Sequence, residues 1–197
     1  MTANVPLIER KQRHARQRIV AAADELFAAH GFDAVSVNTI AERAEVGRTT
    51  FFRHFGDKQE VVFAREQELL DLIAGERVDI PEPGDSTPRT ALEALEPVLL
   101  RLLERMTADR DGYQRHLQLI DDHPELAARD AVKMQIVALR LRDLLVARGS
   151  TIATATLAAE IALACYWTAR RTSPDPATLV EATRDAFRQI LEFGTRL

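Results

Sequence analysis

Polar and basic side chains are interleaved with phenylalanines between residues 48 and 58, and they carry the most specific chemistry in the sequence. An arginine can make a two-pronged contact with guanine, and a threonine methyl can pack against the methyl of thymine. Lysine and histidine side chains can donate hydrogen bonds to phosphate. Such a row at helical spacing favours contact with a nucleic acid over mere solvation. Its members are Arg48, Thr49, Thr50, Arg53, His54 and Lys58.

The three phenylalanines of this segment do not share one role. At about 100° per residue, Phe51 and Phe55 lie on the same side of a helix and predict its buried face. Phe52 shares a flank with Arg48, away from that buried face. The two core anchors would therefore leave the early part of the helix free to reach base edges.

Two preceding helices are needed to hold such a segment. Apolar residues recur at threes and fours over 12–30, and Gly31 is a typical helix stop. Ser36 predicts the N-cap of a short second helix, with Thr39 three places later. Residues 45–47 then interrupt the chain before the third helix, 48–55. A long helix followed by two short ones joined by a brief turn is the layout of a helix-turn-helix, whose second short helix enters the major groove.

The remainder of the chain also reads as helix, so the predicted fold is all-α with about nine helices. We expect a flexible basic arm over 1–11, a helix-turn-helix DNA-binding domain over 12–58 and a larger helical bundle over 59–197. A fourth helix is predicted from a cap at Asp57 to about Gly75, followed by a proline-rich linker over 79–90. The later helices are predicted at 89–108, 112–121, 124–148, 151–171 and 176–193.

Composition narrows the classes of function. The net charge is −4, yet the first 20 residues carry five basic residues against one acidic residue, a basic front on an acidic body. A single cysteine, Cys165, excludes an intrachain disulfide and is expected to be a small buried apolar residue. No secretory signal or membrane-spanning run is expected, so we predict a cytoplasmic protein without a membrane partner. Hydrolase, nucleotide-binding and zinc-protease motifs are missing, so no enzyme activity, cofactor or metal is predicted.

The run "GFDAVSVNTIAERAEVGRTTFFRHFGDKQEVV" over 31–62 resembles the N-terminal domain of TetR/AcrR-type transcriptional regulators. The likeness extends back to about Arg16. It implies that the chain binds double-stranded operator DNA as a ligand-responsive regulator, most often a repressor. With the residue types above, it implies a DNA-binding set of Arg16, Ser36, Thr39, Arg48, Thr49, Thr50, Phe52, Arg53, His54 and Lys58.

Three residues depart from the family pattern. Glu45 replaces the usual turn glycine, so a left-handed backbone there would cost energy. Gly47 replaces the serine that caps the third helix, which should cost little. Phe52 replaces a tyrosine whose hydroxyl donates to phosphate in relatives, so Phe52 can pack against DNA but cannot donate to it.

The family resemblance also implies that 59–197 is a ligand-binding and dimerisation domain, with a homodimer formed by the last two helices and an effector pocket among the middle ones. The segment 112–130 further resembles the branch represented by the mycofactocin-system regulator MftR, which implies an acyl-coenzyme A-like effector; other apolar effectors remain alternatives. A monomeric bundle, and a helical interaction module without DNA binding, are also left open. The expected pocket residues, each of which could equally be plain core, are Leu69, Ile73, Leu103, Leu117, Ile120 and Trp167.

Overall fold

A computed structural model describes residues 7–75 and 86–193 of the chain. Within these residues every regular element is a helix, which confirms the all-α prediction. The helices are α1 (Leu7–His30), α2 (Val37–Arg43), α3 (Arg48–His54), α4 (Lys58–Val62), α5 (Ala64–Gly75), α6 (Pro88–Met106), α7 (Arg110–Asp122), α8 (Pro124–Val146), α9 (Ile152–Thr172) and α10 (Leu179–Phe193).

The predicted fourth helix is wrong in one respect, because the chain divides it into α4 and α5 at Phe63. Phe63 leaves the helical conformation (φ −94°, ψ 16°) and its side chain is buried. The Arg16 guanidinium donates a hydrogen bond to the Ala64 carbonyl directly after the break, at 2.5 Å. Counting α4 and α5 together gives the nine predicted helices within the described residues.

Two boundaries also differ from prediction. Helix α1 begins at Leu7, so residues 7–11 are helical and are not part of a flexible arm; residues 1–6 lie outside the described residues. Packing separates two compact units between Arg65 and Glu66, after the predicted domain end at Lys58. The cause is the short α4, which packs against α1 and contributes Val61 to the core of the first unit. Most of the predicted linker, 79–85, lies outside the described residues.

The first unit is a small helical domain whose core ties α1, α2, α3 and α4 together. Its start and stop signals behave as the sequence predicts: Ser36 caps α2, Asp57 caps α4, and Gly31 ends α1 with a left-handed φ of 77°. The core residues are Ile19, Ala22, Ala23, Val35, Ile40, Ala41, Ala44, Phe51, Phe55, Val61 and Ala64.

The second unit is built around α9, which packs against α6, α8 and α10. Its buried face is rich in alanine, which allows close approach of the neighbouring helices; the buried alanines are Ala155, Ala158, Ala159, Ala162 and Ala169. By length and composition α9 passes the test for a membrane-crossing helix, as buried core helices of soluble proteins also do, so the expectation that no run is long and apolar enough is not met. The reason is that charge is nearly absent before Arg170, with Glu160 as the exception.

Candidate DNA-binding surface

Helix α3 is fixed to its domain by two aromatic side chains. Phe51 is fully buried and Phe55 nearly so, and their ring centroids lie 5.9 Å apart. Both rings belong to the core that α1 and α2 complete. The prediction that these two residues anchor the helix is confirmed. The rest of α3 is consequently turned outward.

The outward side of α3 carries the predicted base-contacting residues. Arg48, Thr49, Phe52 and Arg53 are exposed, and Thr50 is half-buried. The Arg53 guanidinium donates a 3.2 Å hydrogen bond to Thr50 Oγ1 one turn earlier. The Arg48 guanidinium lies over the Phe52 ring, 5.5 Å from its centroid. The structure therefore brings five predicted site residues together on one helical surface.

The His54 side chain is less available for phosphate contact than its place on α3 predicts. Its Nε2 atom is buried and has no hydrogen-bond partner among the described residues. Burial lowers the pKa of the imidazole, and the positive charges of Arg53 and then Arg16 lower it further. The ring is therefore mainly neutral near pH 7 in the DNA-free protein. Phosphate contact by His54 stays a prediction, and it would need the other ring nitrogen or a rotation of the side chain.

Lys58 and Arg16, both predicted to contact DNA, have partners inside the domain. Lys58 Nζ donates to the carbonyls of Phe32 (2.8 Å) and Val35 (3.1 Å), and it lies 4.1 Å from the centroid of the Phe32 ring. Besides its bond to Ala64, the Arg16 guanidinium lies 5.2 Å from the Phe55 centroid. These contacts join residues far apart in sequence, so local spacing could not have revealed them. DNA contact by either residue stays a prediction.

Ser36 and Thr39 lie together at the start of α2 and are both exposed. Ser36 Oγ accepts the Thr39 backbone N–H at 3.1 Å, and the two hydroxyl oxygens are 2.8 Å apart. This arrangement satisfies an end-of-helix donor, and the hydroxyls remain at the surface. Their contact with DNA is not tested by the free protein and stays a prediction.

The turn between α2 and α3 shows the strain expected from Glu45. Its φ is 53°, the one positive value outside glycine among the described residues. The Glu45 and Val46 amides donate to the carbonyls of Glu42 and Ala41, which is the Schellman pattern that normally favours glycine at this position. Gly47 then begins α3 without a side-chain cap, as expected.

The predicted pocket residues all belong to the interior of the second unit. Leu69, Ile73, Leu103 and Leu117 are part of its apolar core, Ile120 is buried, and Trp167 packs against that core while partly exposed. Their burial agrees with both a pocket wall and plain core. Ligand contact by these six residues stays a prediction.

A buried polar cluster beside this core was missed by the sequence reading. The hydroxyls of Tyr113 and Tyr166 are 3.1 Å apart, and Arg170 donates to Asp130 (3.3 Å) and to Asp121 (3.0 Å). Burial raises the pKa of Asp130, although Arg170 opposes that shift. The cluster joins α7, α8 and α9 across large sequence separations, so no local motif announces it.

Cys165 is buried in the second unit, as the sequence predicts. Burial, with a smaller contribution from Glu96, raises the pKa of its thiol to about 11. The side chain is thus a thiol and not a thiolate at neutral pH, which makes it a poor nucleophile.

Known proteins are similar to this chain in sequence and in fold. Residues 19–64 match the sequence model of the family described as "Bacterial regulatory proteins, tetR family". The transcriptional regulator TcmR of Streptomyces glaucescens is 29% identical over 150 residues, which cover 75% of this chain and 66% of TcmR. The transcriptional activator FasR of Mycolicibacterium smegmatis is 27% identical over 179 residues, which cover 85% of this chain and 78% of FasR.

Solved structures show the same fold. The chain of the SmeT–triclosan complex superposes with a TM-score of 0.59 at 20% identity, covering 90% of each chain. A regulator from Aquifex aeolicus gives a TM-score of 0.53 at 20% identity and covers 89% of this chain and 99% of that one. The first unit is therefore similar in sequence to the tetR family over residues 19–64, and the chain as a whole has the fold of these solved regulators.

Proposed function

We propose that the protein is a homodimeric repressor that binds a near-palindromic operator and releases it when a small effector binds the second unit. The observation that carries the proposal is the outer surface of α3, where Arg48, Thr49 and Thr50 stand on a helix anchored by buried phenylalanines. A helix displayed in this way fits the major groove, where arginine reads guanine.

The DNA-binding part is tested by selecting bound duplexes from a random pool and titrating the selected operator with salt. Affinity should fall steeply with salt because phosphate contacts release counterions. Arg48→Ala should erase preference at one base position in each half-site while the salt slope changes by about one or less. Arg140→Ala, which removes an exposed arginine of α8, is the matched control and should change neither property.

Failure to select any sequence, or binding without salt dependence, would contradict operator recognition and leave a helical interaction module as the remaining function. Lys58→Ala is a poor probe of phosphate contact, because it would also release the carbonyls of Phe32 and Val35.

The dimer is proposed to form through α9 and α10. Supporting this, both helices expose large apolar side chains, which are costly to leave in water. They are Ile152 and Leu157 on α9 and Ile190 and Phe193 on α10. Leu157→Arg should lower the sedimentation coefficient to that of a monomer and weaken operator binding. An unchanged dimer in this variant would place the interface elsewhere.

The effector is proposed to be a small apolar or acyl-coenzyme A-like molecule that binds among the apolar side chains of the second unit. Leu69 and Ile73 of α5 belong to that core, and α5 is joined through Phe63 to α4, which packs in the DNA-binding unit. Such a ligand would favour the conformation with lower operator affinity. A panel of acyl-coenzyme A and apolar ligands tests this by release of labelled operator; tight binding without release would refute the coupling.

The direction of regulation and the compartment complete the proposal. The SmeT chain was solved with triclosan, and FasR is described as an activator, so a reporter gene behind the selected operator must decide between repression and activation. Repression predicts higher reporter expression when the gene for this chain is deleted. A cytoplasmic location is proposed for a protein that must reach chromosomal DNA.

A further inference from the structure

Phe52 is an unusual residue for the outer side of α3. It is 44% exposed, whereas the Phe51 and Phe55 rings of the same helix are buried. A large apolar ring on a surface helix gives up the stabilisation that burial would provide. Without a hydroxyl, it also cannot donate a hydrogen bond to phosphate. Its exposure therefore calls for a role other than core packing or phosphate donation.

The Phe52 ring connects the domain core to Arg48. Phe51 is fully buried, and the Phe52 ring meets it edge-on, with centroids 5.5 Å apart and an interplanar angle of 82°. The Arg48 guanidinium lies over the Phe52 ring at 5.5 Å. The spacing of four residues places the two side chains one above the other on the helix. The buried Phe51 thus orients the Phe52 ring, and the Phe52 ring orients the Arg48 guanidinium.

The Arg48 guanidinium keeps its hydrogen-bond donors available. Arg53 of the same helix gives a donor to Thr50, and Arg16 gives one to Ala64. For Arg48, the described part of the chain provides neither a hydrogen-bond acceptor nor an ion-pair partner, and the stacking on Phe52 is the contact that it makes there. Stacking on a ring face holds the guanidinium without using its N–H groups, because the attraction acts through the π-system.

We propose that Phe52 is a positioning residue that holds Arg48 in a pre-oriented conformation for two-pronged recognition of guanine. The inference rests on the proposed operator binding and concerns the specificity of that same surface. An arginine held in place loses less side-chain freedom when it binds, so more of its contact with guanine appears as affinity. Because Arg48 would contact a base, the added affinity should increase sequence preference and not the general attraction for DNA.

The test combines variants of Phe52 with a modified guanine. 7-Deazaguanine lacks the N7 acceptor, so placing it at each guanine of the selected operator finds the base that Arg48 reads: wild type loses affinity there and Arg48→Ala does not. Phe52→Leu removes the ring face and keeps an apolar side chain. We expect it to bind the operator about two- to fivefold more weakly, from the strength of an exposed cation–π contact.

The decisive measurement is the preference for guanine over 7-deazaguanine, and not the affinity for the operator alone. Phe52→Leu should narrow the difference in affinity between operators with guanine and with 7-deazaguanine. It should weaken binding of the operator more than binding of an unrelated duplex, while the salt slope stays at its wild-type value. Phe52→Tyr keeps the ring face and should keep the preference. Phe52→Met provides a second non-aromatic variant if Phe52→Leu fails to fold. Full preference in both non-aromatic variants, or an equal loss on operator and unrelated DNA, would overturn the inference. Wild-type protein that selects no operator would instead refute the proposed function.

Discussion

The strained turn before α3 provides the sharpest test of the structural reasoning. Glu45 has a φ of 53° and occupies the Schellman position that ends α2. A residue with a Cβ in this conformation costs about 1–2 kcal/mol. Replacing it by glycine removes that cost, but the unfolded chain gains freedom worth about 0.4–1 kcal/mol. We expect Glu45→Gly to stabilise the first unit by about 0.5–1 kcal/mol, the remainder of these two terms.

The Glu45 carboxylate contributes little to this balance. Its oxygen lies 3.7 Å from Arg18 Nη1, and the Glu45 side chain is 86% exposed. Exposed pairs of this kind contribute about 0–1 kcal/mol, usually near the lower end. Glu45→Ala separates the two effects, because it removes the carboxylate and keeps the strained Cβ. Asparagine tolerates the left-handed region better than alanine, so the expected order of stability is glycine, then asparagine, then alanine.

Hydrogen exchange is the suitable assay. Tryptophan fluorescence would not report on the first unit, because Trp167, the single tryptophan, lies in the second unit. The Val46 amide, bonded to the Ala41 carbonyl at 2.9 Å, and the Ala44 amide, bonded to Ile40 at 2.9 Å, report on the turn and on α2. Glu45→Gly should slow their exchange about two- to fivefold. Faster exchange in this variant, or alanine matching glycine, would refute the assignment of strain to φ.

Three further predictions concern other features of the fold. Gly31→Ala should destabilise the first unit by about 0.5–1 kcal/mol in urea unfolding, because φ is 77° and the smaller freedom of unfolded alanine offsets part of the cost. Gly47→Ala at φ −69° should be nearly neutral, and equal effects of the two changes would contradict the conformational cause. Arg170→Ala should lower the free energy of unfolding by about 3–5 kcal/mol, because it leaves the Asp130 carboxylate buried without its partner. Adding Asp130→Asn should restore part of that stability, and no restoration would contradict this reason. The pKa of His54 should lie below 6.5 by NMR titration. The unfolded chain then takes up a proton at higher pH than the folded chain, so stability falls as pH drops below about 6.5. His54→Gln should remove that pH dependence, and a measured pKa above 6.5 would refute the prediction.

Local signals in the sequence were sufficient for most of the helices of the first unit. The capping residues Ser36 and Asp57 and the left-handed Gly31 act within a few positions of themselves, so their effect can be predicted without tertiary information. The anchoring phenylalanines of α3 follow from helical periodicity for the same reason. These short-range effects also predicted which side of α3 would face outward.

The features that were missed depend on contacts between distant residues. No glycine or proline marks the break at Phe63, which coincides with burial of its side chain and a hydrogen bond from Arg16, 48 positions before Ala64. Likewise, the polar cluster joins Arg170 to Asp130 across 40 positions. Periodicity detects which face of a helix is buried, but it does not identify the partner that lies there.

The hydrogen bonds from Lys58 to the carbonyls of Phe32 and Val35 have a consequence for the reactivity of its amine. The chain contains three lysines, and an amine attacks the carbonyl carbon of an acylating reagent only through its unprotonated lone pair. Lys58 Nζ gives its hydrogens to two carbonyls beside an aromatic ring, whereas Lys11 stands exposed on α1. Lys58 should therefore be modified much more slowly than Lys11 while the first unit is folded. Its acylation would mark molecules in which the segment between α1 and α2 has opened, making Lys58 a built-in reporter of local unfolding.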